Sequence, residues 1–262
     1  MGADSSPGVE RHPWRRAAAQ VRVEDLAEPA LDADAAHHLR RVLRLGPTEV
    51  LCVTDGRGGW RLCSLASTGD LVVQGPVQRV EAPEVLLTVG FAALKGSRNE
   101  LVVQKLTELG IDRIRLLRCE RGVVRWDDAR ARGHLDRLGR VVEEAAAQCR
   151  RLWIPELDVV DFGDALLRLG DRAGDGEHDE ARDEVAVRPV RADAGGRGLT
   201  AKDTTVLVGP EGGWSDTERG SSESVALGEN VLRAETAAIV AGATMAQLRV
   251  GLVGPGLSSL SP

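Results

Sequence analysis

The sequence has little lysine and lacks any apolar run long enough to cross a membrane. Only three of its 34 basic residues are lysine, so arginine carries most of the positive charge, which suits phosphate binding. A transmembrane helix needs about 18 consecutive apolar residues, and the 262-residue chain has no such run. Residues 1–16 lack the apolar segment of a secretory signal. We therefore expect a cytoplasmic protein with no membrane partner.

Metal-binding patterns are missing as well. The four cysteines form no C-x-x-C pair, and no spacing of cysteine and histidine matches a zinc site. We expect no metal ion and interpret the thiols as reduced and mostly buried.

The net charge of −6 is concentrated in one segment. Residues 171–184 contain seven acidic residues and two arginines, which predicts a solvated loop. The rest of the chain is nearly neutral and carries arginine clusters. The acidic balance therefore does not exclude a nucleic-acid partner.

The chain divides into two regions with different patterns of predicted secondary structure. Short β-branched segments separated by turns fill residues 18–80 and indicate a small β domain. It is interrupted by one helix predicted over Asp34–Leu43, with Leu39 and Leu43 on its inner face. From Val85 onward strands alternate with helices, which predicts an α/β domain with a mostly parallel sheet covered on both faces. We place the domains at residues 1–82 and 83–262, and expect disorder in residues 1–14 and 251–262.

The elements of the second domain follow from periodicity and capping signals. Helices are predicted over residues 101–109, 127–151, 162–169, 216–225 and 234–250. Strands are predicted over residues 85–90, 111–117, 185–187 and 204–208. Capping boxes are predicted at Ser97–Glu100 and at Ser215–Glu218.

A glycine-rich loop, Gly209–Gly213, follows the strand that ends at Val208. Without Cβ atoms its backbone can approach a ligand closely. The loop lacks the lysine of a P-loop and the spacing of a dinucleotide-binding fingerprint. An ordinary strand-to-helix turn is the alternative interpretation.

A second unusual segment, Leu227–Thr236, lies just downstream. Arg233 interrupts its apolar residues, and Glu235 and Thr236 open an alanine-rich helix. Together with Gly209–Gly213 it suggests one small-molecule site built from two backbone loops. The alternative is a surface arginine and a glutamate favoured by the helix dipole.

Two basic segments are candidates for anion binding. Lys95–Arg98 follows a strand and begins a helix, where free N–H groups favour anions; Lys105 lies further along that helix. The helix near residue 40 presents Arg40, Arg41 and Arg44 on its outer face, where they could clamp phosphates. In both cases a solvated helix face is the alternative, with a Lys105–Glu108 ion pair in the first.

Six motifs occur in one order and closely resemble those of the ribosomal RNA small subunit methyltransferase E family. They are His37–Arg44, Lys95–Arg98 with Gln104–Ile111, Glu120–Arg121, Glu144–Arg151, Gly209–Gly213 and Leu227–Ala237. This family belongs to the SPOUT methyltransferases and methylates N3 of a uridine in 16S ribosomal RNA. Residues 171–189 depart from the family pattern.

The resemblance implies a fold and a cofactor. The second domain would be a SPOUT-type α/β domain with a C-terminal trefoil knot, and the first a PUA-like β-barrel that binds RNA. S-adenosylmethionine would lie in the knot. The implied cofactor contacts are Leu207, Val208, Gly209, Pro210, Glu211, Gly212, Gly213, Leu227, Gly228, Val231, Leu232 and Thr236.

The resemblance also implies partners: 16S ribosomal RNA or the small ribosomal subunit, and a second copy of the chain in a homodimer. The expected RNA contacts are Arg40, Arg41, Arg44, Lys95, Arg98, Lys105 and Arg121.

The implied reaction moves a methyl group from the sulfonium of the cofactor to uridine N3, which loses its proton. Arg233 is the first candidate to stabilise the resulting charge, and Arg98 and Lys95 come second. Glu235 is a candidate catalytic base, and Glu211 is another. Two alternatives stay open: methylation of another ribosomal or transfer RNA site, and a non-catalytic RNA-binding protein of ribosome assembly.

Overall fold

The computed structural model describes residues 12–46, 49–124, 128–167 and 188–254. They form two compact units. The first contains the described residues up to Ala82 together with Ala146–Ile154, and the second contains Pro83–Ala145 and the described residues from Pro155 onward. The return of Ala146–Ile154 to the first unit is a feature that the sequence does not indicate.

The described strands of the first unit form a five-stranded sheet in the order β1-β2-β3-β4, with β5 paired to β3. β1 and β2 are parallel, and the other pairs are antiparallel. The elements are a 3-10 helix Pro13–Arg16, β1 Ala19–Arg22, α1 Ala33–His37, a π-helical turn His38–Val42, β2 Val50–Thr54, β3 Gly59–Leu65, β4 Leu71–Val73 and β5 Gln78–Arg79.

The returning segment is held in this unit by hydrogen bonds from side chains to backbone carbonyls. The Gln20 side chain donates to the Arg151 carbonyl at 2.7 Å, and the Trp153 indole donates to the Val80 carbonyl at 3.0 Å. Leu152 is buried beside Trp14 and Trp60. Ala146–Ile154 is therefore part of the core of the first unit.

Two expectations for the first unit need correction. Trp14 is only 7 % exposed, so the disorder predicted for residues 1–14 does not include Trp14; residues 1–11 lie outside the described part. The helix predicted over Asp34–Leu43 changes to π geometry at His38. Because this wider turn alters the helical phase, Leu39 is buried but Leu43 is 44 % exposed.

The second unit alternates strands and helices in chain order. Its elements are β6 Thr88–Ala92, α2 Arg98–Glu108, β7 Arg113–Arg118, α3 Asp128–Cys149, β8 Glu156–Asp161, α4 Phe162–Leu167, β9 Val190–Arg197, β10 Thr205–Val208, α5 Asp216–Gly220, β11 Ser224–Val225 and α6 Ala234–Arg249. The last residues of α3 belong to the first unit.

The described strands of this unit form a six-stranded sheet in the order β11-β9-β10-β6-β7-β8, and every pairing among them is parallel. Its central strands, β10 and β6, are mostly apolar and buried along their whole length, as a sheet covered on both faces requires; Val89, Phe91 and Leu207 have no exposed surface. This confirms the predicted α/β class with a mostly parallel sheet. The trefoil knot stays a prediction.

Several predicted elements of the second unit differ from those in the structure. The sequence missed β8 and β9, and the strand predicted over residues 185–187 lies outside the described part, as does the acidic segment 171–184. The helix predicted over residues 216–225 ends at Gly220 and is followed by β11. The Arg191 guanidinium donates hydrogen bonds to the carbonyl oxygens of Arg219 at 2.7 Å and Ser222 at 3.1 Å. Because these carbonyls are bonded to Arg191, the helix ends at this point.

The two predicted capping boxes had different outcomes. Ser215 and Glu218 form a complete box at the start of α5. Ser97 makes no side-chain cap, because its backbone is not extended (φ −79°, ψ 4°). The Asn99 side chain instead closes the turn by bonding both the N–H and the carbonyl of Leu94, at 2.8 and 2.7 Å.

Candidate functional site

The order of the strands determines where a ligand can bind. From β6 the chain proceeds to β7 and β8 on one side, and later fills the other side with β9 and β10. In such sheets the ligand crevice lies outside the carboxyl ends of the strands at this reversal, here β6 and β10. The Lys95 loop leaves β6 at that edge, and the Gly209–Gly213 loop leaves β10 beside it. The Lys95 loop and the Gly209–Gly213 loop, both singled out in the sequence, therefore lie next to each other.

The Gly209–Gly213 loop is held by Trp214. The indole is 2 % exposed and donates to the Ala192 carbonyl at 3.0 Å. A Cβ on Gly209 would lie 2.8 Å from the indole ring, and Gly213 has a φ of +71°, which favours glycine. Leu207 and Val208 are buried in β10, so they can offer a ligand only backbone atoms.

The buried carboxylate of Glu218 joins this loop to the segment after β7. Glu218 is 3 % exposed; one oxygen accepts from the Ser215 N–H at 2.8 Å and the other from the Glu120 N–H at 3.0 Å. Next to it, Arg121 donates to the Trp214 carbonyl at 3.1 Å. The capping pattern predicted the bond to Ser215 but gave no sign of the bond to Glu120.

A cluster of opposite charges lies where the Lys95 and Gly209–Gly213 loops meet. Arg98 Nη1 donates to Glu211 Oε1 at 2.7 Å and lies 3.5 Å from Glu235 Oε2. The hydrogen bond from Arg98 lowers the pKa of Glu211, and the charges of Arg233 and Lys95 lower it further. The bond to Glu211 in turn raises the pKa of Arg98. The structure thus gathers three of the predicted cations around two of the predicted carboxylates.

The second predicted loop leads into α6. Arg233 is the N-cap residue of α6 and its side chain is exposed, while Glu235 lies in the first turn of that helix. Val231 is 95 % exposed and Leu232 is half-buried. This loop can therefore offer apolar side chains and backbone groups to a ligand.

The remaining predicted RNA contacts lie elsewhere. Lys105 pairs with Glu108 at 2.9 Å on α2, which favours the solvated ion pair for that residue. The other three are exposed residues of the first unit, which are Arg40, Arg41 and Arg44.

Cys52 and Cys119 offer no reactive thiolate at neutral pH. Cys52 and Cys63 are buried and Cys119 is half-buried. Burial raises the pKa of Cys52 and of Cys119 to about 12, so both thiols stay protonated at neutral pH. Among the residues that the structure describes, no group of three His, Cys, Asp or Glu could hold a metal ion. Within the same residues, every helix is too short or too polar to span a bilayer.

Comparison with known proteins decides the family. A family model described as an RNA methyltransferase domain matches residues 81–246, and one described as an RNA methyltransferase PUA domain matches residues 31–73. The ribosomal RNA small subunit methyltransferase E of Mycobacterium bovis is 34% identical over 229 residues, which cover 82% of this chain and 84% of that protein. The chain belongs to the ribosomal RNA small subunit methyltransferase E family.

Solved structures agree with this membership. A Legionella pneumophila protein in complex with the bound cofactor SAM has a TM-score of 0.68 at 26% identity, covering 87% of this chain and 96% of that chain. A ribosomal RNA small subunit methyltransferase E from Neisseria gonorrhoeae, bound to S-adenosyl methionine, has a TM-score of 0.68 at 22% identity, covering 88% and 97%. The second likeness shows the fold alone. The predicted family and the PUA-like nature of the first unit are confirmed.

Proposed function

We propose that this protein transfers a methyl group from S-adenosylmethionine to N3 of a uridine in the 16S ribosomal RNA of the small subunit. The observation that carries this proposal is the meeting of the glycine loop with Lys95, Arg98 and Arg233 at the reversal point of the sheet, in a chain of this family. A glycine loop alone suits many ligands, but a glycine loop beside a cluster of cations suits a cofactor next to an RNA base.

The residues present fit this cofactor. Gly212 and Gly213 leave the backbone open, and the exposed Val231 can cover an apolar part of the ligand. The absence of a P-loop lysine from the glycine loop is consistent with this cofactor, because carbonyl and carboxylate oxygens, rather than cations, stabilise a positively charged sulfonium. When bound, the cofactor supplies the electrophilic methyl group. The holding residues would be those of the two loops, Gly209–Gly213 and Leu227–Leu232, with Leu207 and Val208 acting through the backbone and Thr236 at the start of α6.

The surrounding charges fit the acceptor. Loss of the N3 proton leaves negative charge on the flanking uracil oxygens, and preorganised cations stabilise such charge more than water does. The three cations of the cluster can serve this purpose. Glu235 and Glu211 both lie beside Arg98 and are the candidate side-chain bases; water is the other acceptor for the proton. The acceptor base must be unpaired or turned out of its helix to be reached.

The remaining parts of the proposal concern RNA and assembly. The exposed arginines of the PUA-like unit support contact with RNA phosphates. The family resemblance supports a homodimer with a C-terminal knot, working in the cytoplasm on the ribosomal subunit.

Methyl transfer from labelled S-adenosylmethionine tests the function directly. Small ribosomal subunits, naked 16S RNA and transfer RNA are the three acceptors, and mass spectrometry of nuclease fragments locates the methyl group. We expect transfer to uridine N3 of 16S RNA. Methyl on transfer RNA or on another ribosomal position would replace the proposed substrate. Absence of both transfer and calorimetric binding of S-adenosylmethionine would indicate a non-catalytic RNA-binding protein.

A further inference from the structure

The three cations of the cluster differ in how firmly they are held. Arg98 donates through Nε to the Lys95 carbonyl at 3.2 Å and through Nη1 to Glu211, and its side chain is 30 % exposed. Its Nη2 makes no hydrogen bond within the described part of the chain, so that nitrogen can donate to a ligand. Arg98 is therefore both oriented and available.

Arg233 and Lys95 are exposed, and neither side chain makes a hydrogen bond or an ion pair with a described residue. A long unanchored side chain must lose rotamer freedom before it can stabilise a transition state. A cation already fixed by its neighbours does not have this entropic cost. The sequence ranks Arg233 first, but preorganisation favours Arg98.

The two carboxylates beside Arg98 also differ. Glu211 is 49 % exposed and belongs to a loop. Glu235 is 14 % exposed and lies in the first turn of α6, whose Ala234, Ala237 and Ala238 are buried. Its Oε2 is buried and accepts no hydrogen bond from the described residues. The Arg98 guanidinium lies 3.5 Å from this oxygen and forms an ion pair with it. Glu235 is thus a well-held negative charge beside a guanidinium that Glu211 and the Lys95 carbonyl already orient.

We propose that Arg98 is the catalytic cation, donating through Nη2 to a uracil carbonyl oxygen, and that Glu235 is a positioning residue acting through Arg98. This inference rests on the proposed function. In the step, the N3 proton passes to water, the charge left on the base is stabilised by Arg98, a bond forms between N3 and the methyl carbon, and the carbon–sulfur bond breaks. Glu235 keeps its charge throughout and takes no proton, which separates this role from that of a base.

A double-mutant cycle tests the inference, using the full chain, S-adenosylmethionine and the RNA acceptor at saturation. The variants are Arg98→Ala, Glu235→Gln, the double variant and Arg233→Ala. Loss of one preorganised donor lowers turnover by about 100-fold, so this is expected for Arg98→Ala. We expect Glu235→Gln to lower it about tenfold, and the double variant to match Arg98→Ala within about twofold, because a positioning residue has no effect once its partner is gone. Arg233→Ala should cost less than Arg98→Ala.

Matched measurements exclude a merely structural effect. Glu156→Gln breaks the 3.0 Å pair between Arg113 and Glu156 at the amino ends of β7 and β8, and should keep wild-type turnover. Calorimetry should show that Glu235→Gln binds S-adenosylmethionine with wild-type affinity. Arg98→Lys keeps the positive charge but loses the planar guanidinium with its several donors, so it should restore only part of the rate.

Two outcomes would overturn the inference while leaving the proposed function intact. One is a Glu235→Gln effect that multiplies with that of Arg98→Ala, since Glu235 would then act independently, as a base does. The other is a larger loss for Arg233→Ala than for Arg98→Ala. A wild-type protein that binds S-adenosylmethionine but transfers no methyl to uridine N3 would refute both the inference and the proposed function.

Discussion

Replacing Glu218 by alanine should loosen two loops of the site at once. Its carboxylate is almost fully buried and accepts the Ser215 N–H at the start of α5 and the Glu120 N–H after β7. Alanine leaves both donors without their acceptor. The loop Gly209–Gly213, which directly precedes this cap, and the segment that carries Arg121 would lose their shared anchor.

The magnitude follows from the two hydrogen bonds. A bond to a charged group contributes about 1.5–3 kcal/mol, and the Glu120 N–H is only partly buried, so we take the low end and expect a loss of about 3 kcal/mol. For a unit of this size that lowers Tm by about 6–12 °C. Glu218→Gln should lose about half as much, because its single oxygen can accept from only one of the two donors.

Scanning calorimetry and titration with S-adenosylmethionine measure the two consequences separately. Affinity should fall about tenfold in Glu218→Ala at a temperature where the variant is still folded, since the loop is then no longer held in its binding shape. Thr217→Ala, an exposed change in the same turn, is the control and should leave both quantities unchanged. A Glu218→Ala protein that melts with the wild type would refute the reasoning about the buried bonds.

Three further predictions concern a turn, an acid-sensitive ion pair and the RNA surface. Gly209→Ala puts a Cβ 2.8 Å from the Trp214 indole and should cost about 1–3 kcal/mol in urea unfolding and weaken cofactor binding, whereas Gly163→Ala, with nothing within 4 Å, should not. Burial raises the pKa of Asp203, but hydrogen bonds from Arg197 and Thr200 outweigh it and hold that pKa below its ordinary 3.8. The ionised form therefore stabilises the fold above that value, and the contribution is lost as the pH falls below it. Asp203→Asn should flatten the decline of unfolding free energy between neutral and acidic pH, and an unchanged slope would contradict the assignment. Replacing three exposed arginines by serine should reduce the slope of log affinity against log salt for RNA by about two, and a wild-type slope would exclude them as phosphate contacts; they are Arg40, Arg41 and Arg44.

Local sequence was sufficient wherever a structure is completed within a few residues. The capping box of Ser215 and Glu218 formed as expected, because donor and acceptor lie three residues apart. The glycine loop after β10 and the helix after Arg233 were likewise predicted correctly. The failure at Ser97 has a local cause too: Asn99 competes for the same turn and bonds the Leu94 backbone.

Elements that depend on neighbours distant in the chain were missed. β8 and β9 contain charged residues that weaken their strand pattern, and they are strands because β7 and β10 supply their parallel partners. The early end of α5 follows from Arg191, a residue of β9 that takes two carbonyls of the turn. No periodicity within residues 216–225 could reveal this.

By itself the sequence determined which chemical groups are present: two glycine-containing loops and a set of arginines. Its pattern of motifs also indicated the family. Only the tertiary structure decided which of these side chains meet. Arg98 and Glu211 are 113 residues apart and bond because β6 and β10 are adjacent parallel strands whose carboxyl ends lie at one edge. The 3.5 Å approach of Arg98 to Glu235 and the hydrogen bond from the Glu120 N–H to Glu218 likewise join residues far apart in the chain, so they depend on tertiary packing rather than on local sequence.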